Sequence, residues 1–282
     1  MEGPLEYLAH TLIITTAIVS LTGRAPPAKA QVSPITPSSP QVVPVRYDEH
    51  RYIVAPVTEA GDTLYLYTDT GADLNALFPR AIARLGLVRD SLIRGNHILR
   101  FTTLPSFRPE ASIPFRSSHP EMDRAILVVD SISFAAGTDG LLGREWFAGR
   151  VWTFDYPRHQ LLLRSAGDLP PHSPKHRVAL GFQTDSAGWR TVNFPRIRVL
   201  IDGDSLDLLF DTGAMTALAD SAHTALADGR PSRRASSFVV QSVFDRWRKR
   251  HPQWEVIEGA DQLGDTTFPM IRVPDVEVGG FR

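Results

Sequence analysis

The apolar positions fall into short runs set off by turn residues. Residues 64–67 (LYLY) and 206–210 (LDLLF) are two such runs, each preceded by a Gly-Asp pair, Gly61-Asp62 and Gly203-Asp204, that signals a hairpin turn. Both predict buried strands. Residues 151–156 and Gln160–Arg164 flank Pro157-Arg158-His159 and predict a second kind of hairpin, one that closes a unit. Helical spacing is rarer. Residues 79–87 (PRAIARLGL) predict a short helix with Ala81, Ile82 and Leu85 on one face and Gly86 near its end, and Asp220–Leu226 predicts its partner. Residues 165–176 carry prolines that predict an extended connector.

The N-terminus has a different pattern. Residues 11–21 (TLIITTAIVSL) form an apolar run too short to span a bilayer and right for the core of a signal peptide. Ala28-Lys29-Ala30 before Gln31 fits a cleavage site, although Glu2 and Glu6 precede the run and no Lys or Arg does. Residues 1–30 therefore predict a signal peptide and a secreted or periplasmic protein, membrane-anchored if the segment stays uncleaved. Residues 31–44 (QVSPITPSSPQVVP) show no periodicity and predict a linker, with ordered structure from near Val45. Composition adds little: 22 prolines and 20 glycines suit short strands and turns better than long helices. A net charge of −1 gives no global pull towards nucleic acid. With no cysteine, neither disulfides nor a lipoprotein anchor can form.

Internal repetition carries the chemistry. Asp69-Thr70-Gly71-Ala72 recurs as Asp211-Thr212-Gly213-Ala214, and the same offset lays Gly61-Asp62 on Gly203-Asp204, Leu64 on Leu206 and Leu66 on Leu208. A four-residue word recurring in matched settings points to duplication. Each copy places a carboxylate on a tight turn leaving an apolar strand, with a glycine to permit the turn. Two such loops facing across a pseudo-two-fold axis would bring Asp69 and Asp211 together. Two carboxylates at close range cannot both ionise easily, so one holds a proton while the other is a base, the arrangement that activates a water.

These motifs resemble the aspartic peptidases, the pepsin-like and retropepsin-like group, over residues 45–164 and in part over 177–282. Asp139-Gly140-Leu141-Leu142-Gly143 resembles the family's hydrophobic-hydrophobic-Gly strand, which threads beneath the catalytic loop of its own lobe. The resemblance implies a mostly β fold of two small β-barrel lobes, 45–164 and 177–282, joined by 165–176, each with one short helix. It implies an endopeptidase with Asp69 and Asp211 as the catalytic pair, Thr70 and Thr212 locking the loops across the lobes, and Gly71 and Gly213 giving close backbone approach. No cofactor or metal is implied, and the substrate is a polypeptide bound extended under a flap. Ala72 and Ala214 match retroviral-type enzymes, where pepsins usually carry Ser or Thr. The flap is expected within residues 93–115, which lack the pepsin-type Tyr and offer Phe101 or Phe107 as cover.

Nothing after Asp211 matches the Asp139–Gly143 segment, and 230–262 reads as an insertion. The sequence therefore predicts an incomplete second lobe whose strand 206–210 is open to self-association. Other signals are weaker. His172 and His176 have a metal-like spacing but lie in a Pro-rich connector without a third ligand. The Gly137–Gly140–Gly143 pattern lacks the Lys-Ser/Thr of a phosphate loop. The basic run 246–251 (RWRKRH) reads as a solvated helix, with contact to an anionic partner as the alternative. No GxSxG or HExxH occurs. Two other function classes compete: a non-catalytic peptide-binding protein on the same fold, and a phosphate-contacting ATPase, which would need further Gly-rich loops. Retention of both aspartates argues against the first, because a pure binder has no use for two adjacent acids.

Overall fold

The computed structural model describes residues 40–281 apart from 95–96, 116–123, 131–134, 136, 172 and 264–265. The signal-peptide reading of 1–30 lies outside these residues. The described residues belong to one compact unit, mostly β, with one large mixed sheet.

In the first half the strands are β1 Gln41–Val43, β2 Val45–Asp48, β3 Arg51–Val54, β4 Leu66–Thr68, β5 Ala76–Leu77, β6 Arg89–Arg94, β7 His97–Thr103, β8 Ala125–Val128, β9 Gly140–Leu142, β10 Val151–Asp155 and β11 Gln160–Arg164. Helix α1 (Pro79–Arg84) follows β5, and α2 (Arg144–Phe147) follows β9. Eight strands form one sheet in the order β2-β3-β4-β9-β5-β8-β7-β6. β9 pairs parallel with β4, Leu66 to Gly140 through Thr68 to Leu142, and antiparallel with β5. The Asp139–Gly143 segment thus runs beside the strand that leads to Asp69, as expected. Gly140 is required there, because a Cβ would lie 2.3 Å from the Ala76 carbonyl oxygen. Leu64, Leu66, Tyr67, Leu77, Ile82, Leu141 and Leu142 are all essentially inaccessible and fill the faces of this sheet. The buried strand expected at 64–67 is present in part: β4 covers Leu66–Thr68, with Leu64 buried just ahead of it.

Several expectations shift. Structure begins by β1, which pairs with β11 and buries Val43, so the linker ends earlier than Val45. A three-residue strand between prolines leaves no periodicity to detect. The hairpin of β10 and β11 forms as expected. Helix α1 starts at Pro79 and buries Ala81 and Ile82 but ends at Arg84, where Leu85 is its C-cap and Gly86 turns with φ +61°. The Gly61-Asp62 turn is loose: a Val57–Thr63 bridge, with the Thr58 amide donating to the Asp62 carbonyl at 2.8 Å.

The second half has β12 Arg196–Ile201, β13 Asp204–Leu209, β14 Met215–Ala217, β15 Arg233–Ala235, β16 Val256–Leu263 and β17 Thr266–Ile271, with α3 Asp220–Leu226 and α4 Gln241–Arg250. Its strands pair only two by two, β12-β13, β14-β15 and β16-β17. Asp202 and Gly203, both at positive φ (46° and 82°), turn β12 into β13 as a primed hairpin. The strand expected at 206–210 forms, but it is not buried. Leu206 and Leu208 are half-buried and Leu209 is 41% exposed. The physical reason is the sheet: β4 lies between β3 and β9, whereas no strand among the described residues pairs with the outer edge of β13. Neither half closes into a barrel among the described residues; the large sheet ends on β2 and β6.

The basic run 246–251 lies on α4 and at its end, and its three arginines are engaged. Arg246, Arg250 and the Trp247 indole N–H all reach the Asp204 carboxylate, and Arg248 pairs with Glu258. The Arg250 guanidinium, the Trp247 donor and Arg246 together hold the Asp204 carboxyl down at about 2. His176 stacks on Phe281 with centroids 3.9 Å apart, and His172 lies outside the described residues. Among the described residues, no three His, Asp or Glu side chains cluster as a metal site would need, and no helix is long and apolar enough to cross a membrane.

Candidate active site

Asp69 directly follows β4, and its position is fixed from below. Its amide donates to the Leu142 carbonyl at 3.0 Å, the Arg144 amide to the Ala72 carbonyl at 2.9 Å, and the Gly143 amide to Asn75 Oδ1 at 2.8 Å. The threading strand therefore carries the loop on three bonds. Thr68, one residue earlier, donates its hydroxyl to the Tyr52 carbonyl at 2.6 Å and ties β4 to β3.

Asp211 follows β13 in the same way, and the two loops meet. The Thr70 amide donates to Thr212 Oγ1 at 3.2 Å, and the Thr212 amide donates to Thr70 Oγ1 at 2.9 Å. The Thr70 hydroxyl donates in turn to the Phe210 carbonyl. Each glycine amide holds its own carboxylate: Gly71 N–H to Asp69 Oδ1 at 2.7 Å and Gly213 N–H to Asp211 Oδ1 at 2.8 Å. Each glycine also lies against the opposite acid. A Cβ at position 71 would be 2.4 Å from Asp211 Oδ2, and one at position 213 would be 2.4 Å from Asp69 Cγ. All six residues singled out in the sequence are thus brought together, in a reciprocal arrangement that the repeat anticipated.

The electrostatics follow from this contact. Asp69 is 7% exposed. Burial, then the charge of Asp211, then a hydrogen bond to the Asp211 carboxyl push the Asp69 carboxyl well above the usual carboxylate range; the Gly71 and Ala72 amides oppose this. The pair is suited to sharing one proton and titrating as a unit.

Sequence reasoning missed two participants, Tyr67 and Arg51, and the contacts of a third, Asp139. Tyr67 is fully buried and donates its hydroxyl to the Gly213 carbonyl at 2.9 Å. Arg51, also buried, places its guanidinium 5.2 Å from the Tyr67 ring centroid and pairs with Glu49. Asp139, at the head of the threading segment, accepts the Tyr65 amide at 2.9 Å and Arg84 at 2.7 Å. The one available signal was a mismatch in the repeat, Tyr67 against Leu209.

Within the stretch expected to hold the flap, 93–115, the structure has part of a hairpin, β6-β7, which spans 89–103 and narrows to the Arg94–His97 pair. Phe107 packs against the first-half core and under the Arg124 guanidinium, so it is no cover for the site. Phe101 sits within the sheet, opposite Asp90 on one side and Leu127 on the other. The exposed apolar residues near the narrow end of the hairpin are Ile93 and Ile98, paired across it.

A cleft of about 940 Å³ lies elsewhere, lined by Arg177, Phe182, Arg196, Arg198 and Glu277 among others, and includes neither Asp69 nor Asp211. Arg198 is paired with Asp207 there. The site is assigned by the chemistry of the dyad. No family model and no characterised protein matches this chain in sequence.

Proposed function

We propose that this chain is an aspartic endopeptidase, with two retropepsin-like lobes related by a pseudo-two-fold axis and Asp69 and Asp211 as its catalytic pair. The observation that carries this reading is the reciprocal packing of Gly71 on Asp211 and Gly213 on Asp69, with each glycine amide donating to the carboxylate of its own loop. One acid of the pair holds the shared proton. Its ionised partner takes a proton from a water lodged between them as that water attacks the scissile carbonyl, and the protonated acid donates to the carbonyl oxygen. No covalent intermediate forms. Thr70 and Thr212 keep the two loops in register, and the β6-β7 hairpin supplies backbone groups for an extended polypeptide. The apolar run near the N-terminus supports export, so the substrate would be met outside the cytoplasm.

The test is incubation of the full chain with a reduced, unfolded polypeptide and mass spectrometry of the products. The reading predicts new peptide N-termini, unaffected by chelators or by serine- and cysteine-directed reagents. An intact substrate, or cleavage abolished by any of those reagents, contradicts it.

A further inference from the structure

The two catalytic loops are not supported alike. The Asp69 loop rests on its own half, through Leu142, Gly143 and Arg144. The Asp211 loop rests largely on the other half. Its Phe210 carbonyl takes the Thr70 hydroxyl, its Thr212 amide donates to Thr70 Oγ1, and its Gly213 carbonyl takes the Tyr67 hydroxyl. Its own half adds the Pro195 carbonyl, which takes the Phe210 amide at 2.8 Å, and the Ser236 amide, which donates to the Ala214 carbonyl at 3.3 Å. Among the described residues no strand lines the outer edge of β13 as β9 lines β4.

The Tyr67 contact has no mirror image. The repeat sets Leu209 at the matching position, which has no hydroxyl and is 41% exposed where Tyr67 is fully buried. Tyr67 is itself held. Arg51 sets its guanidinium over the ring, 5.2 Å from the centroid, and Glu49 pairs with Arg51 and lies 3.5 Å from Arg233 of the second half. The Gly213 peptide is a sensitive place to hold. Its amide binds Asp211 Oδ1, and its Cα lies against the Asp69 carboxyl. A rotation there moves one acid relative to the other.

We propose that Tyr67, oriented by Arg51, is a positioning residue for Asp211: by fixing the Gly213 carbonyl it sets how closely the Asp211 carboxylate meets Asp69. The kinetic readout rests on the peptidase reading; the geometric one does not, and both are measured together. Carboxyl ¹³C shifts are followed against pH in full chain labelled at the aspartate Cγ, with Asp69 and Asp211 assigned from Asp69→Asn and Asp211→Asn. Hydrolysis of an unfolded polypeptide is measured on the same samples. Tyr67→Phe removes only the hydroxyl. The gap between the two titration steps of the dyad should narrow, because the acids part and couple less. The acid limb of the pH–rate profile should move with it, kcat should fall about tenfold, as befits one lost hydrogen bond, and KM should change less than twofold. Tyr65→Phe, outside both loops, should change none of these. Unchanged titration and kcat in a folded Tyr67→Phe chain overturn the proposal. A narrowed gap in a chain that hydrolyses nothing even as wild type keeps the positioning role and removes the peptidase. If Tyr67→Phe does not fold, Arg51→Met, which leaves the phenol in place, must narrow the same gap, and an unchanged gap there overturns it.

Discussion

Asp69 and Asp211 sit in one contact yet differ in surroundings, since Asp69 is buried and Asp211 only partly so. An aspartate whose carboxyl is raised in the folded state stabilises the fold fully below the unfolded value of about 3.9. That contribution is lost as the pH rises through the raised folded value. Asp69→Asn removes the loss. Its melting temperature should exceed that of the wild type at pH 7, and the difference should vanish near pH 3. A lower melting temperature at pH 7 would mean that Asp69 is held ionised by contacts other than those described. The six dyad residues were legible because the same word occurs twice, and the duplication supplies both the contact and its reciprocity. Tyr67 and Arg51 were not. A buried Tyr in an apolar run reads as core, and nothing local in sequence shows that its hydroxyl meets a carbonyl 146 residues away.

At the scale of elements, β9 explains why one catalytic strand is buried and the other is not. An apolar run predicts burial on both faces only if the sheet supplies neighbours on both edges. Residues 64–67 have β3 and β9; residues 206–210 have β12 alone among the described residues. The Gly-Leu-Leu-Gly word was legible for the same reason that it is sensitive, since β9 fits only where glycine lets backbones approach. Gly140→Ala would put a methyl into the Ala76 carbonyl, with Leu66 and Leu77 side-chain carbons at 3.1 Å on other sides. We expect a loss of about 3 kcal/mol in denaturant unfolding, at the upper end for overpacking. Gly167→Ala, with nothing within 4 Å, should stay within about 0.5 kcal/mol of wild type. Equal effects at the two positions would contradict the threading geometry. The β6-β7 hairpin was not legible because its Arg-rich strands alternate weakly, and Leu104 and Ile113, which follow it, belong to the core.

For the whole molecule, the halves are unequal in core. Each half has two clusters, but the first half's are larger: one holds Trp146, Leu142, Leu66 and Ile82 and another Tyr67, Phe78 and Leu141, against a group around Trp247 and one around Ala222 in the second half. The exposed edge of β13 and its half-exposed Leu209 predict concentration-dependent association through that strand. Sedimentation equilibrium should show it, and Leu209→Lys should weaken it; a wild type that stays monomeric at tens of micromolar, a range set by order of magnitude for weak interfaces, speaks against it. The claim on which the rest depends is simpler. Hydrolysis of one unfolded polypeptide is followed from mildly acidic to neutral pH with wild type, Asp69→Asn and Asp211→Asn side by side, each shown to be folded. The account predicts cleavage by the wild type and a loss of at least about a hundredfold in both variants, the scale of a missing acid or base. Near-wild-type cleavage by either folded variant would contradict it.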